Sequence, residues 1–245
     1  RMEGGEDADF LYGWEGDDKL LAEAELTLEA AIAQGESGAG STDRGDFLQG
    51  NAGRDTVIGG GAKDLISGGE GEDILVGGAG DDLLSGDDQY SAFSYDWSVE
   101  RTVETDPDGG TTYRYTVSGA SGTQPAGAGD ALHGGAGADW LFGNEGDDFI
   151  DGGADDDVAL GEEGADTLLG GEGNDVLGGD SSVEALAEAL HGDDFLDGGA
   201  GDDEINGDGG SDILYGGAGD DKLYGDSVGI EAGGDDYMDG EDGKD

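Results

Sequence analysis

Residues 134–178 read GGAGADWLF GNEGDDFID GGADDDVAL GEEGADTLL GGEGNDVLG, five blocks of nine residues laid end to end. Glycine opens every block, aspartate stands sixth and an apolar residue stands eighth. The frame extends in both directions. Residues 50–85 divide into GNAGRDTVI, GGAKDLIS preceded by one extra glycine (Gly59), GGEGEDILV and GGAGDDLLS, and residues 198–224 into GGAGDDEIN, GDGGSDILY and GGAGDDKLY. A short fixed period marks a stacked-repeat architecture, in which each unit buries its apolar face only against its neighbours.

Two columns carry the pattern. The sixth place holds Asp9, Asp18, Asp46, Asp55, Asp64, Asp73, Asp82, Asp130, Asp139, Asp148, Asp157, Asp166, Asp175, Asp194, Asp203, Asp212, Asp221, Asp236 and Asp245, with no glutamate among them. The eighth place holds Leu11, Leu20, Leu48, Val57, Ile66, Leu75, Leu84, Leu132, Leu141, Ile150, Ala159, Leu168, Leu177, Leu196, Ile205, Leu214, Leu223 and Met238, of which only Ala159 is small. If glycine and aspartate were mere turn formers in a linker, nothing would keep the eighth place apolar. The last three places therefore form a strand with one inward apolar residue flanked by two outward ones. The other six form a turn, where glycines at the first, second and fourth places permit positive φ and let carbonyls converge beside the aspartate.

Composition explains why such a chain needs help to fold. It carries 62 acids against nine Lys and Arg, a formal charge of -53, and 56 glycines among 245 residues. The acids repel and glycine is costly to order, so collapse requires a divalent cation that bridges carboxylates in the folded state only. Carboxylate and carbonyl oxygens suit Ca²⁺, whereas zinc or iron would want the His or Cys that the turns lack. Zero cysteines exclude disulfides. Without a basic stripe, nucleic acid is excluded as a partner, and an anionic membrane should repel the chain. No run of eighteen apolar residues and no basic-then-apolar start occurs, so neither a membrane span nor a cleavable signal peptide is expected within this segment.

The pattern GGxGxDxUx, with U apolar, resembles the RTX, or haemolysin-type calcium-binding, family over most of the chain. The resemblance implies an all-β, right-handed parallel β-roll, a solenoid with two nonapeptides per coil, so that Asp55 stacks on Asp73 and Asp64 on Asp82. It implies multiple Ca²⁺ ions between stacked turns, held by the nineteen aspartates named above, at roughly one ion per interior turn. Extracellular calcium modules bind at about 10⁻⁴ to 10⁻³ M. Family modules stay unfolded in the low-calcium cytosol and fold outside the cell, which implies a secreted, extracellular or cell-surface location.

One continuous roll is expected over 1–245, with short helices and one β-hairpin inserted in place of turns. The inserts fall at 22–40 (helical), 87–124 (hairpin), 180–190 (short helix) and 226–232 (loop), and the last three should leave from one edge. Each of those three opens with an aspartate, Asp87, Asp180 or Asp226, expected to complete an ion site beside the broken turn. The hairpin, WSVERTVET and TTYRYTVS around DPDGG, gathers Tyr90, Phe93, Tyr95, Trp97, Tyr113 and Tyr115 with Arg101 and Arg114. These either face a partner or pack the hairpin onto the roll, and packing is the expectation. At the ends, GEDGKD (240–245) joined to RME (1–3) would make a whole repeat with Met2 eighth, which suggests one period of a tandem protein or a unit stacking head to tail.

No catalytic constellation is seen, and His133 and His191 stand without a Ser or Cys partner. The expected function is a non-enzymatic, calcium-rigidified rod of an adhesin, surface-layer or fibre protein, its partners being Ca²⁺, itself, or a cell-surface or matrix component. The alternative is the calcium-binding secretion module of a type I-secreted enzyme or toxin.

Overall fold

The three strand residues of each block add to those of the block eighteen residues on, so the nine-residue period becomes a two-sheet spiral. The computed structural model describes residues 1–4, 10–16, 18–22, 28, 31–32, 44–87, 89–105, 111–123, 128–180, 191–226 and 234–245. Its first strands are β1 (Met2–Glu3), β2 (Phe10–Glu15), β3 (Lys19–Leu21), β4 (Arg44–Ala52), β5 (Thr56–Gly60), β6 (Lys63–Glu70), β7 (Ile74–Ala79) and β8 (Leu83–Ser85). Next come β9 (Gln89–Thr105) and β10 (Thr111–Thr123). The spiral resumes with β11 (Ala131–Ala136), β12 (Trp140–Glu145), β13 (Phe149–Ala154), β14 (Val158–Glu163), β15 (Thr167–Glu172) and β16 (Val176–Asp180). It continues through β17 (Phe195–Ala200), β18 (Glu204–Asn206), β19 (Ile213–Gly219), β20 (Lys222–Tyr224), β21 (Tyr237–Asp239) and β22 (Asp242–Gly243).

The odd-numbered strands from β1 to β21, without β9, form one parallel sheet, and the even-numbered strands from β2 to β20, without β10, form a second. Register follows the blocks: Leu75 lies opposite Leu132, Leu132 opposite Ile150 and Ile150 opposite Leu168. The first of these pairings spans the second insert, so the spiral closes across it without loss of frame. Gly60 lies opposite Gly78. Gly59 is therefore no extra residue but the first place of a complete block, 59–67.

Between the sheets the eighth-place side chains stack into a single core. From Leu20 to Leu214 each is at most 1 % exposed, Met2, Leu11 and Leu223 pack at its ends, and Met238 is 49 % exposed. One apolar residue per nine gives a core one side chain wide, too thin to order the turns unaided.

The inserts add outer layers. Thr111–Ser118 of β10 pair antiparallel with Thr105–Ser98 of β9, and register shifts follow at Ser118 and Ser121, so the hairpin is longer than its sequence signature. Strand β9 contacts β4 and β6. Outward-facing Phe47, Leu65 and Leu83 are buried to 1 % or less, as they would be beneath a strand laid over the second sheet. On the other face, helical Leu28, Ala31 and Ile32 pack on Leu21, Ile58 and Val76. The last three inserts follow β8, β16 and β20, all in the second sheet, and so leave from one edge. Beyond Asp180 and Asp226, the helix expected over 180–190 and the loop over 226–232 lie outside the described residues, as do the rest of 22–40 and Asp9.

Candidate metal centre

Alternation between sheets sorts the sixth-place aspartates onto two edges. Turns entering the first sheet carry Asp18, Asp55, Asp73, Asp130, Asp148, Asp166, Asp194, Asp212 and Asp236, those entering the second carry Asp46, Asp64, Asp82, Asp139, Asp157, Asp175, Asp203 and Asp221, and Asp245 stacks on Asp221. On each edge the carboxylates form a ladder, each Oδ1 from Asp55 and Asp64 onward accepting the backbone N–H of the aspartate one coil earlier. Asp73 accepts from Asp55 at 2.7 Å, Asp130 from Asp73 at 2.6 Å and Asp148 from Asp130 at 2.7 Å on one edge. On the other, Asp157 accepts from Asp139 at 2.8 Å and Asp175 from Asp157 at 2.9 Å. The ladders run unbroken from Asp18 to Asp236 and from Asp46 to Asp245, bridging all the inserts.

The second carboxylate oxygen is the unusual one. In Asp73, Asp82, Asp130, Asp139, Asp148, Asp157, Asp166, Asp175, Asp194, Asp203, Asp212 and Asp221, Oδ2 is buried and accepts no hydrogen bond from any described group. A buried anionic oxygen without a donor is costly unless a cation meets it. Burial, as the largest cause, pushes Asp130, Asp139 and Asp157 up to about 9, Asp166 to about 8, and Asp73, Asp175, Asp194 and Asp212 to about 7. It lifts Asp148 and Asp203 to about 6 and Asp82 well above the carboxylate range. Neighbouring aspartates raise these further, while the ladder N–H groups pull the other way.

The first-place glycine supplies the room. A Cβ on Gly152 would lie 2.6 Å from Asp157 Oδ2 and 2.7 Å from the carbonyl oxygen of Gly170, the first glycine of the following coil. Two hard oxygens, one of them anionic, thus converge beside the Gly152 α-carbon. Positive φ, expected at the first, second and fourth places, occurs at the second and fourth, as at Gly153 and Gly164, and not at the first. Crowding by oxygen, not backbone twist, keeps the first place glycine. The second place even accepts Asn144, Glu162 and Asp208 at φ of 83°, 82° and 70°.

Among the described residues no three His, Cys, Asp or Glu side chains gather as a metal cluster. The donors brought together beside the first-place glycine are a carboxylate oxygen and a backbone carbonyl oxygen, hard oxygens of the kind Ca²⁺ takes and zinc or iron does not prefer. The residues present fit calcium.

Two features escaped the sequence. The fifth place builds a second, exposed ladder of opposite sense: Asp156 Oδ1 accepts from Asn174 N at 2.9 Å, Asn174 Oδ1 from Asp202 N at 3.0 Å and Asp202 Oδ1 from Asp220 N at 2.8 Å. The doubled acids Asp81–Asp82 and Asp147–Asp148 are its sequence trace, since the first of each pair joins this ladder. The second feature concerns the aspartates that open the inserts. Asp180 accepts from Gly192 N, where the turn resumes, at 3.3 Å and from Gly209 N of the next coil at 3.1 Å. Asp87 likewise accepts from Glu145 N of the next coil at 3.0 Å. These residues clamp the mouth of an insert, whereas Asp226 is exposed. Asp180→Asn keeps an oxygen acceptor at this clamp but removes a carboxyl that burial pushes up to about 9, so we expect more order than the parent in chelator at neutral pH by circular dichroism, with the number of bound ions unchanged; one ion fewer would make Asp180 a ligand. His191 sits beside Asp180 and His133 beside Asp151, each Nδ1 being 3.6 Å from a carboxylate oxygen.

Stacked parallel coils with oxygen-lined edges define a cation-binding β-solenoid. A family model for the RTX calcium-binding nonapeptide repeat matches residues 1–24, 41–75, 67–89, 126–159, 152–181 and 191–223, well over half of the sequence. The chain belongs to this family, whose repeats bind calcium, and its fold is the family's parallel β-roll. No curated protein matches it significantly. Among the described residues no helix is long and apolar enough to cross a membrane.

Proposed function

We propose that the chain is a calcium-dependent, non-catalytic extracellular module, a rod of an adhesin, surface-layer or fibre protein. The observation that carries this reading is the pair of edge columns in which buried aspartate oxygens face no donor. Bound calcium supplies the positive charge that lets those columns ionise while buried. The aspartates and first-place carbonyls hold it, the ladders fix the spacing of the coils, and the eighth-place side chains seal the interior. Nine steps along the longer sheet at about 4.8 Å each give a rod of about 43 Å. A second copy of the chain, added coil on coil in the same parallel register, is the partner proposed for such a rod. A catalytic or pore-forming domain on the same polypeptide would assign the roll to a secretion module instead.

Titration with calcium, followed by far-UV circular dichroism and sedimentation velocity, tests the proposal. We expect cooperative gain of β-structure between sub-millimolar and millimolar calcium, several ions per chain, and a mass that grows with protein concentration. Full β-structure in excess chelator at neutral pH would overturn the calcium dependence, and a strictly monomeric folded state would remove self-association.

A further inference from the structure

The two halves of the roll differ in charge and in how their outer faces are covered. In residues 44–87, nine acids are offset by Arg44, Arg54 and Lys63, whereas residues 128–221 carry 27 acids and no Lys or Arg. Per residue the second stretch has about twice the net charge. Arg54 also bonds Glu72 across adjacent coils. The outer faces differ in the same sense. In the first stretch Ile58 and Val76 are buried by the helix residues and Leu65 and Leu83 are buried on the hairpin side, while Ile74 is half-buried. In the second, outward-facing Phe149 and Phe195 are only half-buried and Ile213 is 41 % exposed.

We infer that the roll answers calcium in two steps, residues 44–85 with their inserted layers ordering at lower calcium than residues 128–221, whose coils carry more net charge and fewer covered outer side chains. Solenoid coils touch only their neighbours, so halves of unequal intrinsic stability can separate along a titration. Each outward apolar side chain covered by an insert adds stability that needs no ion. Shared among the few sites of that half, this lowers the calcium required by about tenfold. The inference rests on the proposed calcium-dependent folding.

Hydrogen exchange read by mass spectrometry on the full chain, across a calcium series, tests it. Peptides covering 56–76 are expected to gain protection at a midpoint about tenfold below those covering 195–214. Ile32→Asp, which strips the helix from Val76 and Ile58 without touching an eighth-place residue, should raise the first midpoint toward the second and leave the second in place. Coincident or reversed midpoints would overturn the two-step response, as would an Ile32→Asp variant that moves both midpoints equally. If neither segment responds to calcium, the proposed function fails with it.

Discussion

In excess chelator, moving the chain from about pH 7.5 to about pH 5 is expected to produce the β-structure that calcium produces at neutral pH. Ten aspartates of the edge columns, Asp73, Asp130, Asp139, Asp148, Asp157, Asp166, Asp175, Asp194, Asp203 and Asp212, have folded pKa values raised from 3.8 to between about 6 and 9, with burial as the chief cause. A group whose pKa is raised on folding favours the folded state fully below its unfolded pKa, and that favour is lost as pH rises through the folded value. The metal-free roll is therefore penalised from about pH 4 upward and most heavily at neutral pH and above. Each titrating aspartate contributes about 1.4 kcal/mol per pH unit. Because many titrate together, protons should substitute for calcium over two to three units. At about pH 5 the chain is still above its isoelectric point near 4.1, so it remains charged and soluble enough to measure. Circular dichroism in chelator at the two pH values decides it: equal disorder at both would mean that the columns are not what calcium relieves.

The sequence displayed the sixth and eighth columns because each recurs at a fixed period, and periodicity is what survives when no contact is known. It also marked the break in the frame from which the described hairpin, β9 and β10, leaves the roll. It could not show why the first glycine is needed. That requirement involves an oxygen five residues ahead and a carbonyl eighteen residues ahead, as with Asp157 and Gly170 around Gly152, and it arises only once two coils are stacked. The clamp formed by Asp180 was hidden for a similar reason. Its acceptor role depends on Gly209 of the following coil, 29 residues away through an insert of arbitrary length. The outer layers were half visible: helical spacing in the first insert marked an apolar face, but outward seventh-place residues such as Leu65 and Leu83 look in sequence like any strand flank. Their burial is a property of what lies over them.

Two substitutions in one turn separate the electrostatic from the steric role of the site. Asp157→Asn keeps the shape of the side chain and the Oδ1 acceptor used by Asp139, but removes the buried charge. With a folded pKa of about 9, Asp157 must take up a proton for the metal-free roll to form at neutral pH, a cost of about 4 kcal/mol that the amide does not bear, so the variant should be more ordered than the parent in chelator. In calcium it should bind fewer ions, because the amide offers no anionic oxygen. Gly152→Ala leaves every charge in place and inserts a methyl group 2.6 Å from Asp157 Oδ2 and 2.7 Å from the Gly170 carbonyl oxygen. No relief follows in chelator, and overpacking of this kind typically costs about 1–3 kcal/mol, so its calcium midpoint should rise while metal-free order stays at or below that of the parent. Isothermal titration calorimetry gives the ion count and circular dichroism the order. Opposite responses in chelator, with a shared loss in calcium, place the ion against Asp157 Oδ2 in the space that Gly152 keeps open. An Asp157→Asn chain indistinguishable from the parent in both conditions would move the ions elsewhere.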